Sequence, residues 1–245
     1  TPKPLKKCLS AQMKKGLAQA FQKFGAYALA KYNRAREIKL RDTLFLVHAK
    51  PKDAEQAGIW KALVAGTLPA PDTWEVALSA GADKKATWGR LLSEEKLGYM
   101  ALLMNLRNMT EAGVDRRLIE AALLAGATKS RALPFRFVSA AKAAPGLAQA
   151  LSDAMLRAIG DETKLPGETL LLVDVSGSMD AMLSAKGTLS RWEAAGALAI
   201  LLRELCESVG VFTFSSGLVE VANFRGLPLL NRIKVSQPHN STYLT

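Results

Sequence analysis

The sequence predicts an α + α/β chain, a run of helices followed by a parallel α/β sheet. Three observations predict it. Apolar residues recur at helical spacing from Ser10 to about Ile159. GDETKLPGE, residues 160–168, then breaks that rhythm with polar residues, Pro166 and Gly167. Beyond it come an apolar strand, a capped helix and a second apolar strand, the order from which a parallel sheet is built. Two domains are expected, residues 1–163 and 164–245.

The first helix is expected from Met13, Leu17, Phe21, Phe24 and Ala28, which step by three and four. DAEQAGIWKALVAG opens with Asp53 and Gln56 at capping-box spacing and ends at Gly66. PDTWEVALSAG runs from Pro71 to Gly81. In SEEKLGYMALLMNLRNMTEAG, Ser93 is expected as the cap, with acids in the first turn and a stop at Gly113. DRRLIEAALLAG follows the same rhythm. Lengths of about 10–20 residues with short Gly- or Pro-bearing connections suggest stacked helix pairs, an α-solenoid, although no strict repeat is visible. In the second part, Thr169–Val175 reads as a buried strand. Ser190 and Glu193 form a capping box for a helix ending near Gly210. VGVFTFSS and LVEVANF read as the second and third strands.

Nearly half of the 245 residues are apolar, which excludes a disordered tail. No apolar run reaches the length that spans a membrane, and TPKPLKKCLS has no signal-peptide core. Cys8 and Cys206 form no motif and read as reduced thiols of a cytoplasmic protein. The chain lacks an initiating Met and stops in HNSTYLT, so a piece cut from a longer protein is expected.

Charge is distributed unevenly. Residues 1–52 hold 13 Lys and Arg against Glu37 and Asp42 alone, whereas 53–163 and 164–245 are each balanced, 13 against 13 and 7 against 7. The whole net charge of +11 therefore sits in the first fifth of the chain. Such a patch attracts phosphates through counterion release; the alternative is a solvated basic face. Arg forks and Lys points neutralise phosphates, and Arg planes also stack on bases. Tyr32 and Phe45 are expected in the core, with a base-stacking platform as the alternative. Met100, Met104 and Met109 are expected in helix packing, and His48 has the alternative of a partly buried helix residue satisfied by its neighbours.

The stretch LLLVDVSGSMD, residues 170–180, ends an apolar strand in clustered oxygen donors. In parallel α/β sheets ligands collect at the carboxyl ends of strands. Asp174, Ser176 and Ser178 offer one carboxylate and two hydroxyls, with Gly177 allowing a tight fold. Hard oxygens suit Mg²⁺ foremost, or Mn²⁺ or Ca²⁺, and not Zn²⁺. A polar turn bonded to its own backbone is the alternative.

These residues resemble the metal-ion-dependent adhesion site of von Willebrand factor A domains, signature D-x-S-x-S after the first strand. The resemblance implies a Rossmann-like A domain over 164–245 and a further ligand from a later threonine, best matched by Thr242 behind Asn240 and Ser241. A final aspartate is expected beyond Thr245, which makes this A domain incomplete.

ALAKYNRAREIKLRDTLFLVHAKP, ALLMNLRNMTEAG and SRALPFRFVSAAKA, followed by such a domain, resemble Ro-type RNA-binding proteins. These join a ring of HEAT-like helical repeats, the TROVE module, to an A domain. The resemblance implies binding of small noncoding Y-type RNAs and of single-stranded ends of misfolded RNAs, with an exoribonuclease as partner. Lys31 and His48 fall at the family's spacing in its RNA-contacting segment. Ala35 stands where a second basic residue is frequent, flanked by Arg34 and Arg36, and Arg41 and Lys50 keep the segment cationic.

The reading that follows is a non-catalytic RNA-binding scaffold in RNA quality control, a monomer engaging neither DNA nor membrane. A metal-dependent protein-interaction module with the helices as support is the alternative. A hydrolase built on Asp174 and Ser176 lacks a base, since His48 lies in the other domain and His239 stands alone.

Overall fold

Asp53 shows how the helices are started. Its carboxylate accepts the Gln56 backbone N–H at 2.7 Å and opens α4 (Ala54–Ala65), which Gly66 closes in the left-handed conformation at φ 74°. Gln56 does not return the bond to Asp53. Its side chain accepts from Lys52 N–H at 3.0 Å and donates to the Gln22 carbonyl at 2.9 Å. The structure, a computed structural model, describes residues 9–33, 37–70, 72–160 and 163–242. They fall into two compact units, Thr1–Gly81 and Ala82–Thr245. No helix among them is long and apolar enough to cross a membrane.

In the first unit, α1 (Ala11–Lys23), α2 (Ala26–Tyr32) and α3 (Leu40–Val47) precede α4, and α5 (Trp74–Ser79) follows it. The single stripe expected from Met13 to Ala28 is two helices. Phe24 and Gly25 are extended between them, because a glycine inside a helix costs about 1 kcal/mol and is a cheap place to break. The break turns both Phe21 and Leu29 into one core with Leu44, Val47, Trp60 and Leu63, leaving Met13 and Phe24 outside. Helix α2 spans Ala26–Tyr32, and Arg34 and Arg36 lie outside the described residues. Cys8 and Pro71 lie outside them as well.

The second unit begins with α6 (Lys84–Ser93), α7 (Tyr99–Glu111), α8 (Arg116–Ala127), α9 (Pro134–Ala143) and α10 (Ala148–Ile159). Ser93 ends α6 instead of capping α7, whose cap is Gly98. The Ser93 hydroxyl donates back to the Gly89 carbonyl at 2.9 Å, and Glu94 pairs with Arg90 one turn earlier. That i,i+4 pair pulls the acids into the preceding helix. Met109 is buried, whereas Met100 and Met104 face outward, so only one of the three methionines packs the core.

Strand β1 (Leu165–Asp174) pairs in parallel with β2 (Cys206–Phe214), and α11 (Arg191–Leu205) is the crossover between them. Helix α11 ends five residues before Gly210, because Cys206–Gly210 are drawn into the ladder beside Leu165–Leu170. Strand β3 (Leu218–Val221) is antiparallel to β2. The sheet is therefore mixed and not purely parallel. Only Ser215, Ser216 and Gly217 join β2 to β3, too few for a crossover. Helix α12 (Leu227–Val235) packs on α10 and α11. Helix α11 covers one sheet face; on the other, Leu170 and Leu172 are 69% and 59% exposed, so β1 is buried on one face only, where a buried strand was expected.

Candidate functional site

The basic segment lies in the first unit. Lys31 sits in the last turn of α2 and Arg41 in the first turn of α3, its guanidinium 3.7 Å from Asp42. His48 caps the C-terminus of α3 at φ 52°, ψ 40°, and Lys50 follows, both exposed. Arg41 and His48 are seven residues apart, two helical turns, which brings them to one side of α3. Lys31 and Lys50 lie in the same unit on other elements. Phe45 and Tyr32 are 60% and 59% exposed, so the core expected for them belongs to Phe21, Leu29 and Trp60 instead.

The oxygen loop lies in the second unit, where β1 ends. Asp174 Oδ1 accepts the Ser176 backbone N–H at 2.8 Å, which curls the loop back over the strand. The Ser176 and Ser178 hydroxyls then stand 3.3 Å apart. The later loop is clasped to them. Gly177 N–H donates to the Asn240 carbonyl at 2.8 Å, and the buried Ser215 hydroxyl donates to the Pro238 carbonyl at 2.7 Å. A Cβ on Gly177 would stand 3.2 Å from the His239 carbonyl oxygen, so glycine permits this approach. Ser176, Gly177, Ser178, Ser216 and residues 239–242, Thr242 included, line one polar cleft of about 710 Å³.

A cation of the Mg²⁺ class suits this donor set. Octahedral ligands at 2.0–2.1 Å place neighbouring oxygens about 3 Å apart, close to the hydroxyl separation seen. Asp174, Ser176, Ser178 and Thr242 are the oxygens that would hold it. Among the described residues no group of three His, Cys, Asp or Glu side chains comes together to hold a metal ion.

His239 does not stand alone. Its Nδ1 lies 2.8 Å from Asp180 Oδ1 and its Nε2 lies 3.2 Å from the Lys234 carbonyl. The second nitrogen therefore meets a main-chain acceptor and not a serine, and a nucleophile triad is not formed.

The TROVE domain family matches residues 53–182, just over half of the chain. The chain belongs to the TROVE domain family. The TROVE match runs from the cap of α4 to the end of the oxygen loop. Telomerase protein component 1 of Mus musculus is 36% identical over 91 residues, 34% of this chain and 4% of that protein. The Rattus norvegicus protein of the same name is 34% identical over the same share. In fold, the TROVE chain is similar to the RO (RSR) protein of Deinococcus radiodurans, at TM-score 0.59 and 21% identity, over 94% of this chain and 58% of that one. The chain thus spans a small part of the telomerase components and somewhat over half of the RO protein.

Two features of the sites carry no strong signal in the sequence. The Asn240 clasp is made by main-chain atoms, which any residue supplies. The Asp180–His239 pair joins residues 59 apart, and only the return of the chain after α12 brings them together.

Proposed function

We propose that this TROVE chain is a non-catalytic RNA-binding module of a ribonucleoprotein. It would hold small noncoding RNAs of the Y type and single-stranded ends of misfolded RNA, and act in cytoplasmic RNA quality control beside an exoribonuclease. The carrying observation is the whole net charge of +11 within residues 1–52 of a TROVE chain. Lys31, Arg34, Arg36, Arg41, His48 and Lys50 are the phosphate-facing residues of this reading.

The test is a binding isotherm with a Y-type RNA hairpin at two salt concentrations. Six to ten phosphate contacts weaken affinity by about 10³–10⁵ between 50 and 200 mM salt. Lys31→Ala with Arg34→Ala lowers affinity at fixed salt and leaves thermal stability unchanged, because exposed charges contribute little to it. Affinity indifferent to salt overturns the proposal.

The second unit supports a companion reading, a von Willebrand factor A-type module. The clasped polar cleft around Ser176, Ser178 and Thr242 favours it. Mg²⁺ held by Asp174, Ser176, Ser178 and Thr242 would offer an open coordination position to a partner's carboxylate or to a phosphate.

A further inference from the structure

Exposed aromatic side chains concentrate where acids are scarce. Phe24, Tyr27, Tyr32 and Phe45 are all more than 40% exposed, and all four fall within the segment whose acids are Glu37 and Asp42 alone. Asp42 is engaged: its Oδ2 accepts the Lys39 N–H at 2.8 Å, as the return bond at the start of α3. Its contact with Arg41 is long and solvent-exposed, too weak to hold the guanidinium against a competing phosphate.

Helix α3 sorts its residues cleanly. Leu44 and Val47 enter the core, while Arg41, Phe45 and His48, at steps of four and three, are exposed along another side. One exposed Phe needs no explanation. An Arg, a Phe and a His in one stripe do, since fold stability gains little from any of them there. His48 adds strain, because it ends α3 in the left-handed region at φ 52°, where glycine is the cheaper cap. Helix α2 repeats the combination: Tyr27 and Lys31 lie one turn apart, and Tyr32 is next.

We propose that the Arg41–Phe45–His48 stripe of α3 is a stacking platform for unpaired nucleotides of a bound RNA strand. Phe45 supplies the ring face for a base, and Arg41 supplies the charge for the flanking phosphate. His48 adds a second planar ring one turn on. A cationic surface set with aromatic faces fits a single strand, whose bases are free to stack, and not a duplex, whose faces are hidden. The inference rests on the RNA-binding reading and sharpens it.

The test uses the full chain with a short single-stranded oligoadenylate and a blunt RNA duplex. Phe45→Ala is expected to weaken the oligoadenylate by roughly 5- to 150-fold, the loss typical of one stacked base, and to leave the duplex unchanged. Phe45→Trp retains single-strand affinity, whereas Phe45→Leu, apolar without a ring, does not. The salt slope stays as in the wild type for Phe45→Ala and becomes shallower by about one for Arg41→Ala. Steep salt dependence in the wild type with unchanged single-strand affinity in Phe45→Ala overturns the platform and leaves the RNA-binding reading standing. A lower melting temperature in Phe45→Ala with unchanged affinity overturns it too, and assigns the face to protein packing. A wild type that binds neither RNA overturns both.

Discussion

Lys142 of α9 places its ammonium 2.8 Å from each carboxylate oxygen of Glu193 at the start of α11, and also donates to the Thr188 carbonyl at 2.7 Å. The same carboxylate accepts the Ser190 N–H at 2.7 Å, and the Ser190 hydroxyl caps the helix in return. One helix thereby braces the capping box that ends the loop after the oxygen cluster.

Glu193 makes this brace sensitive to acid. Burial pushes its carboxyl up, but hydrogen bonds from Lys142 and from Ser190, with the lysine's charge, outweigh burial and hold it below the ordinary 4.5. A carboxyl depressed in the folded state contributes stability that is fully present above its unfolded value and lost as pH falls through the folded one. Thermal stability should therefore fall below about pH 4.5, and Glu193→Gln should flatten that dependence. Lys142→Ala should cost about 1–2 kcal/mol at neutral pH, since it leaves the buried Glu193 carboxylate without its half-exposed cationic partner. An acid limb identical in Glu193→Gln and wild type would refute the assignment.

Gly226 and Ser152 form a second joint, between α10 and the start of α12. Ser152 is buried and its hydroxyl accepts the Leu227 N–H at 3.1 Å, while a Cβ on Gly226 would collide with that oxygen. Gly226 also has φ 63°, which side chains rarely adopt. Gly226→Ala should thus destabilise by about 2–4 kcal/mol, the backbone strain adding to a displaced hydrogen bond. Ser152→Ala removes the bond and also relieves the collision, so the double variant should cost less than the two singles together. Denaturant unfolding of the four proteins measures that coupling; strict additivity would show that the two residues do not meet.

Local chemistry was legible in the sequence where its cause is local. Asp53 and Ser190 cap as their spacing predicts, and Gly66, Gly81 and Gly113 all take positive φ at helix ends. Errors arose where a distant partner decided. LLRELCESVG reads as continuous helix, but pairing of Cys206–Gly210 with β1 converts its second half to strand. Phe45 and Tyr32 read as core by composition, yet helical phase gives the interior to Leu44, Val47 and Leu29. The D-x-S-x-S spacing pointed to the oxygen cluster, but not to the main-chain clasp that holds the later loop against it.

The clasp carries the final prediction. If Mg²⁺ occupies this loop, millimolar Mg²⁺ should raise the melting temperature of the full-length protein, the added stability being about 2.7 kcal/mol at a hundred times the dissociation constant. Asp174→Ala should abolish that rise, because it removes the carboxylate among hydroxyl donors and frees the Ser176 N–H it organises. Gly177→Ala keeps every proposed ligand but forces a Cβ to within 3.2 Å of the His239 carbonyl, beside the 2.8 Å bond to Asn240. It should displace residues 239–242, and Thr242 with them, and so reduce the Mg²⁺ effect without eliminating it. Neither variant should alter RNA affinity, since the cationic segment lies in residues 1–52. Equal Mg²⁺ stabilisation in wild type and Asp174→Ala would leave the cluster as a hydrogen-bonded turn, and a loss of RNA binding in either would place the RNA on this loop instead.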